Sequence, residues 1–202
     1  MNAEILKFIN RYSNTVITDE RKAMLRSLTE YIQSKKDSGE TIRLNFICTH
    51  NSRRSHLAQI WAQTMAFHFG LKNIFCYSGG TEATAMFPKV AETLISQGFQ
   101  IQKLSENSNP VYAVKYTENE TSIICFSKEY NNVFNPKNKF GAIMTCGAAD
   151  EGCPMVLGAE ARFSITYNDP KAFDATSEMD EKYAERSLEI GQEMWWVFNS
   201  LK

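Results

Sequence analysis

Hydrophobic positions in the first 40 residues recur at helical spacing. Met24, Leu25, Leu28, Tyr31 and Ile32 form one apolar face, the pattern of an amphipathic helix. Thr18, followed by Asp19 and Glu20, predicts its N-cap, with acids at the positive end of the helix dipole. Lys35 and Lys36 suit the negative end and Gly39 the stop, so residues 1–40 read as two helices placed before the main body. Packing or oligomerisation is the role expected of them.

From residue 41 the pattern alternates between short apolar runs and helical faces. Residues 42–48 predict a strand, and Leu57, Ile60, Trp61, Thr64 and Met65 give the next segment a helical apolar face. Residues 74–77 predict a second strand closed by a turn at Ser78-Gly79-Gly80. A helix is then expected over 87–98, with Val90, Leu94 and Ile95 inward. Residues 140–145 and 162–166 read as further strands. A long last helix is capped by Thr176 or Ser177, with Tyr183, Ile190, Met194, Val197 and Leu201 inside. Strands alternating with helices imply an α/β fold: a four-stranded parallel sheet covered by helices on both sides. The interval 103–139 breaks this rhythm. It is polar and holds two strand-like runs, 111–116 and 122–127, so an inserted β-hairpin is expected there. The predicted organisation is a helical extension over 1–40 and one α/β domain over 41–202.

Composition narrows the function classes. At 202 residues the chain is long enough to bury about 70% of its unfolded surface without disulfide staples. Lys plus Arg number 22 against 23 for Asp plus Glu, which argues against a nucleic-acid or anionic-membrane binder. No apolar stretch is long enough to span a bilayer, and the N-terminus lacks the features of a secretory signal, so a cytoplasmic protein is expected. There the five cysteines, at 48, 76, 125, 146 and 153, are by default reduced.

The stretch richest in chemistry is Cys48-Thr49-His50-Asn51-Ser52-Arg53-Arg54-Ser55. A cysteine ends a strand, five residues follow, and an arginine opens a helix. Such a loop wraps backbone N–H groups around a tetrahedral oxyanion at the helix N-terminus. Arg54 adds a planar fork that grips two oxygens, and the same positive environment favours a reactive thiolate at Cys48. Ser52 and Ser55 offer hydroxyls to the sulfur or the loop, and Asn51 tolerates the left-handed backbone that a tight cradle requires. Cys-x5-Arg is a weak pattern as bare spacing; its position between strand and helix is the stronger signal. The competing reading is a buried strand-end cysteine beside two solvated arginines.

These residues resemble the signature loop of the low-molecular-weight protein tyrosine phosphatase family, whose fold and loop thioredoxin-coupled arsenate reductases share. The resemblance continues at Ser78-Gly79-Gly80-Thr81 and at Asp169-Pro170, which is similar to the family's general-acid loop, and so spans roughly 41–201. His50 stands where the family usually carries glycine, and Arg53 where many members have a second cysteine.

Two thiols separate the branches of this resemblance. Cys146 ends a strand, and Cys153-Pro154 follows after an acidic, glycine-bearing loop. A phosphatase needs neither, whereas the arsenate reductase branch is similar in this segment. That likeness implies Cys48 as nucleophile, Arg54 and the loop as oxyanion site, Asp169 as general acid, Cys146 and Cys153 as a relay, and thioredoxin or a similar dithiol as reductant. Taken without it, the pair could be two buried loop thiols; zinc lacks nearby ligands to complete a site, so neither metal nor cofactor is expected. Cys76 and Cys125 lie in apolar runs and read as structural. His68 reads as structural too, and His56 as either structural or supporting the loop. Lys171-Ala-Phe173 replaces the paired aromatics that phosphatases commonly place after Asp-Pro. The substrate is thus arsenate or, in the alternative, an aryl phosphate ester. A third reading is an oxyanion-binding or thiol-based redox sensor without turnover.

Overall fold

In the computed structural model, which describes residues 1–152 and 155–202, four parallel strands stand in one twisted sheet. They are β1 (Ile42–Cys48), β2 (Ile74–Gly80), β6 (Phe140–Met144) and β7 (Ala159–Ser164), in the order β2-β1-β6-β7. The two central strands, β1 and β6, are almost wholly buried, as expected of strands with helices on both faces. Between and around them run α1 (Ala3–Tyr12), α2 (Asp19–Asp37), α3 (Arg54–His68), α4 (Pro88–Ser96), the short α5 (Gly147–Gly152) and α6 (Met179–Asn199).

The interval after α4 forms its own small antiparallel sheet, β3-β4-β5, from Gln100–Lys103, Tyr112–Lys115 and Ile123–Cys125. The expected hairpin is β4 with β5, in register at Tyr112↔Cys125. The third strand, β3, is mostly exposed, so its four residues carry no apolar alternation that would announce it.

Several boundaries differ from the sequence reading. β2 does not turn at Ser78 but runs on through Gly80, because Cys48↔Gly80 extends its pairing with β1. β7 starts at Ala159 rather than 162, fixed by pairing with β6. Met24 and Ile95, expected inward, are 43% and 54% exposed because no element among the described residues covers those faces. α6 begins at Met179, and Thr176 instead accepts from the Glu178 N–H in the turn before it. Thr18 does cap α2, accepting from the Arg21 N–H at 3.2 Å.

The first 40 residues share one core with the sheet. Ile5, Ile9, Leu25, Leu28 and Ile32 are fully buried with Trp61, Tyr183, Ile190 and Met194. Arg21 of α2 grips Glu193 of α6 through two bonds, at 2.6 and 2.8 Å. A second, smaller cluster runs from Phe140 and Val156 along β6 to Met144 and Ala149, and on to Cys48 and Cys146 at the C-terminal ends of β1 and β6. In open α/β sheets that is the end where ligands bind. Among the described residues no helix is long and apolar enough to cross a membrane.

Candidate active site

The loop from Cys48 to Arg54 is fixed by a dense set of hydrogen bonds. The Cys48 and Thr49 carbonyls accept from the Thr81 and Glu82 N–H groups at 3.1 and 2.9 Å, and the Ser52 carbonyl from the Phe87 N–H at 3.0 Å. The His50 carbonyl accepts from the Ser127 hydroxyl at 2.8 Å. Asn51 is left-handed, with φ +44°, as its side-chain type permits. Its amide donates to Ser55 Oγ at 2.8 Å while its Oδ1 accepts from the Lys128 N–H at 3.0 Å. Because Ser55 Oγ accepts from Asn51, its own proton is free for Cys48 Sγ, 3.1 Å away.

Gly80 explains how the neighbouring strand comes so close. A Cβ there would lie 2.3 Å from the Glu82 carbonyl oxygen, 2.6 Å from that of Thr49 and 2.7 Å from the Asn51 nitrogen, all backbone atoms. The glycines therefore serve close approach of two chain segments, and not the turn that their sequence suggests.

Arg54 opens α3. Its terminal nitrogens are engaged by the Tyr167 carbonyl at 2.8 Å and by the Asp169 carboxylate, while its buried Nε has no partner among the described residues. Asp169 in turn caps the 3₁₀ turn Pro170–Phe173 by accepting from the Lys171 N–H at 3.0 Å. The candidate nucleophile, oxyanion-binding arginine and acid are thus gathered on one side of the molecule, with loop and acid joined through Arg54. A donor fork beside a thiol and a carboxyl group is suited to holding a tetrahedral oxyanion for attack by sulfur, with a proton supplied to the departing oxygen.

Cys146 lies beside this loop. Its sulfur is 3.4 Å from Thr49 Oγ1 and accepts from the Ala149 N–H at 3.4 Å, and the residue is 1% exposed. Pairing of β1 with β6 at Ile47↔Met144 continues in the bond from the Thr145 N–H to the Ile47 carbonyl at 2.7 Å, which sets Cys146 one step beyond Cys48. Cys153, the other expected relay thiol, lies outside the described residues.

The remaining site candidates divide. His50 projects partly into solvent, 3.7 Å from Glu82. The Arg53 side chain is committed elsewhere: Nε donates to the Tyr183 hydroxyl and Nη2 to Asp174, both at 2.5 Å. Arg53 was expected among the oxyanion-binding residues; its guanidinium is spent on these partners. Cys76 and Cys125 are buried, and burial pushes both thiols upward, Cys125 to about 12. His56 is fully buried, with Nδ1 3.3 Å from Ser78 Oγ; burial, then Lys128, lower its pKa to about 3. It is a neutral strut under the loop.

Lys128 is a supporting residue without a sequence signal. It is 2% exposed and lies 4.4 Å over the Phe126 ring, and its ammonium donates to the Phe126 carbonyl at 3.1 Å. Burial lowers its pKa to about 8. Lysines are almost never buried this deeply, so nothing in the local sequence announces it.

Residues 43–130 match the family model described as low molecular weight phosphotyrosine protein phosphatase, a span that includes the Cys48–Ser55 loop and stops before Cys146 and Asp169. No curated protein matches the chain. Among solved structures, a low molecular weight phosphotyrosine phosphatase from Vibrio cholerae O395 superposes with a TM-score of 0.53 at 15% identity, covering 79% of this chain and 95% of that one. A mutant of YwlE from Bacillus subtilis gives 0.51 at 13% identity, covering 78% and 97%. An arsenate reductase in the phosphate binding state gives 0.50 at 16% identity, covering 80% and 99%. At such identities the structural likeness is one of fold. The family model thus matches the loop on which the resemblance rests, and the solved structures share the fold.

Proposed function

We propose that this chain, with its low-molecular-weight phosphatase fold, is a thiol-based oxyanion enzyme whose reaction is the reduction of arsenate. The observation that carries the finer reading is Cys146, a buried thiol set against Thr49, one step along the sheet from the nucleophile. Phosphoester hydrolysis has no use for a second thiol at that place.

In this reading arsenate enters the loop, displaces Asp169 from Arg54, and is held by the guanidinium and the loop N–H groups. The Cys48 thiolate attacks arsenic, forming an S–As bond, and Asp169 protonates the oxygen that leaves as water. The Cys146 thiolate then attacks Cys48 Sγ. The new S–S bond forms as the S–As bond breaks, and its electron pair stays on arsenic, which departs as arsenite. Arsenic has gained two electrons and the two cysteines have lost two. Cys153 exchanges into the disulfide, linking to Cys146 and freeing the Cys48 thiolate, and a thioredoxin-like dithiol reduces the Cys146–Cys153 bond.

Hydrolysis of aryl phosphates by the same cradle is the second reading. It is favoured by the completeness of Cys48, Arg54 and Asp169 without any relay, since the cradle does not tell arsenate from phosphate by shape.

The test couples arsenate, thioredoxin, its reductase and NADPH. Arsenate-dependent NADPH loss is expected for the native protein. Cys146→Ser should abolish it while retaining aryl phosphate hydrolysis within about threefold, whereas Cys48→Ser should remove both activities by more than about 10³-fold. Efficient aryl phosphate hydrolysis with no arsenate-dependent oxidation would leave the phosphatase reading standing alone.

A further inference from the structure

Two consecutive arginines hold the two ends of one short turn. Asp169, before the 3₁₀ turn Pro170–Phe173, pairs with Arg54, and Asp174, which closes it, pairs with Arg53. Arg53 is the residue in which the loop ends and Arg54 the first of α3, so the turn is fastened to the junction between loop and helix.

The Arg53 fastening is built from several elements. Asp174 Oδ2 accepts from Arg53 Nη2 at 2.5 Å, and Oδ1 accepts from the Tyr183 hydroxyl at 2.6 Å; that hydroxyl accepts from Arg53 Nε at 2.5 Å. This closes a three-membered ring between the loop, the acid turn and α6. The guanidinium lies 4.1 Å over the Phe87 ring, and the Phe87 N–H binds the Ser52 carbonyl at 3.0 Å. Tyr183 is fully buried, and only 12% of the Arg53 side chain is exposed, so these bonds are shielded from water. Arg53 is stacked, forked and charge-paired at once, a combination that a lysine cannot reproduce.

The two fastenings differ in what an incoming oxyanion does to them. The oxyanion competes with Asp169 for Arg54, so the first must open on binding. The second touches no group that the oxyanion needs. We infer that Arg53, with Asp174 and Tyr183, is a positioning latch that keeps the Asp169 turn over the loop when substrate takes Arg54, and so determines how well Asp169 delivers its proton. Arg53 acts through the turn and not as an oxyanion ligand. The inference rests on the role proposed for Asp169 above.

A positioned acid matters most when the leaving group is poor. The test compares kcat/KM, which reports formation of the thiol adduct, for phenyl phosphate and for p-nitrophenyl phosphate, whose leaving group needs little protonation. In Arg53→Gln, the ratio of kcat/KM for the phenyl to the p-nitrophenyl ester should fall about tenfold or more. Asp174→Asn should give the same change, and the double variant no further one, because both break one latch. Hydrogen exchange of the amides in 169–176 should rise in each variant. Equal losses on both esters, or exchange in that segment unchanged from the native protein, would overturn the latch. A native protein that hydrolyses neither ester would count against the phosphatase reading, while hydrogen exchange would still decide the latch.

Discussion

The loop around Cys48 and the segment around Cys146 lie side by side at one end of the sheet, yet they are held to different degrees. Every residue from Cys48 to Ser52 is tied to another part of the chain by a backbone or side-chain hydrogen bond. Gly80 presses against its backbone so closely that no Cβ fits. Beyond Cys146 the six-residue α5 is held through Asp150, which binds Arg162 and Ser164, but a Cβ at Gly147 or Gly152 would meet nothing within 4 Å, and Met155 and Leu157 further on are largely exposed. An oxyanion cradle works by holding donors still, since donors that are already aimed need no reorganisation during reaction. A thiol that must travel between two sulfurs needs slack. On the function proposed above, binding falls to the first region and movement to the second.

That contrast is easiest to break at the glycines. Gly80→Ala forces a methyl into three backbone atoms that cannot withdraw, so a loss of about 3 kcal/mol or more is expected, together with loss of activity. Urea denaturation measures the first and either assay the second. A variant of native stability would show that the cradle is looser than its contacts imply.

His56 sharpens the comparison from below the loop. An unfolded chain takes up a proton on this histidine near pH 6.5, while the folded protein does so only near 3, because burial and Lys128 oppose the charge. Between those values the unfolded state binds more protons, so stability must drop as pH falls through this window, by at most about 1.4 kcal/mol per pH unit from this group. Denaturation midpoints at several pH values would show it, and His56→Gln should flatten the slope. The smallest effect belongs to the second region. Gly147→Ala meets open space in a helix, so it should leave stability unchanged or raise it by up to about 1 kcal/mol. If it instead slows only arsenate turnover, the slack of that segment is part of the reaction.

How far this was readable in the chain depends on where each signal lies. β1, the cradle and the start of α3 are punctuated locally: an apolar run, a polar loop with a left-handed-tolerant asparagine, then a helical face. The same holds for Thr18 at the head of α2. β3 was illegible because a short exposed strand has no alternation to read. Gly79 and Gly80 signal a turn by composition, and only the third dimension shows that they admit a neighbouring backbone. Arg53 has the charge of an oxyanion ligand, but its partners Asp174 and Tyr183 lie more than a hundred residues away. Lys128 runs against the rule that lysines stay at the surface. Local pattern thus predicts where the loop lies, and long-range contacts decide which partners its side chains take.

The central claim is that Cys48 and Cys146 are two thiols of one reaction. It is tested most directly by giving the Cys153→Ser variant one equivalent of arsenate without reductant, alkylating all free thiols, and mapping the peptides by mass. A Cys48–Cys146 disulfide with release of one equivalent of arsenite is the predicted result. Both cysteines alkylated after exposure to arsenate, in a variant that still hydrolyses aryl phosphates, would contradict it.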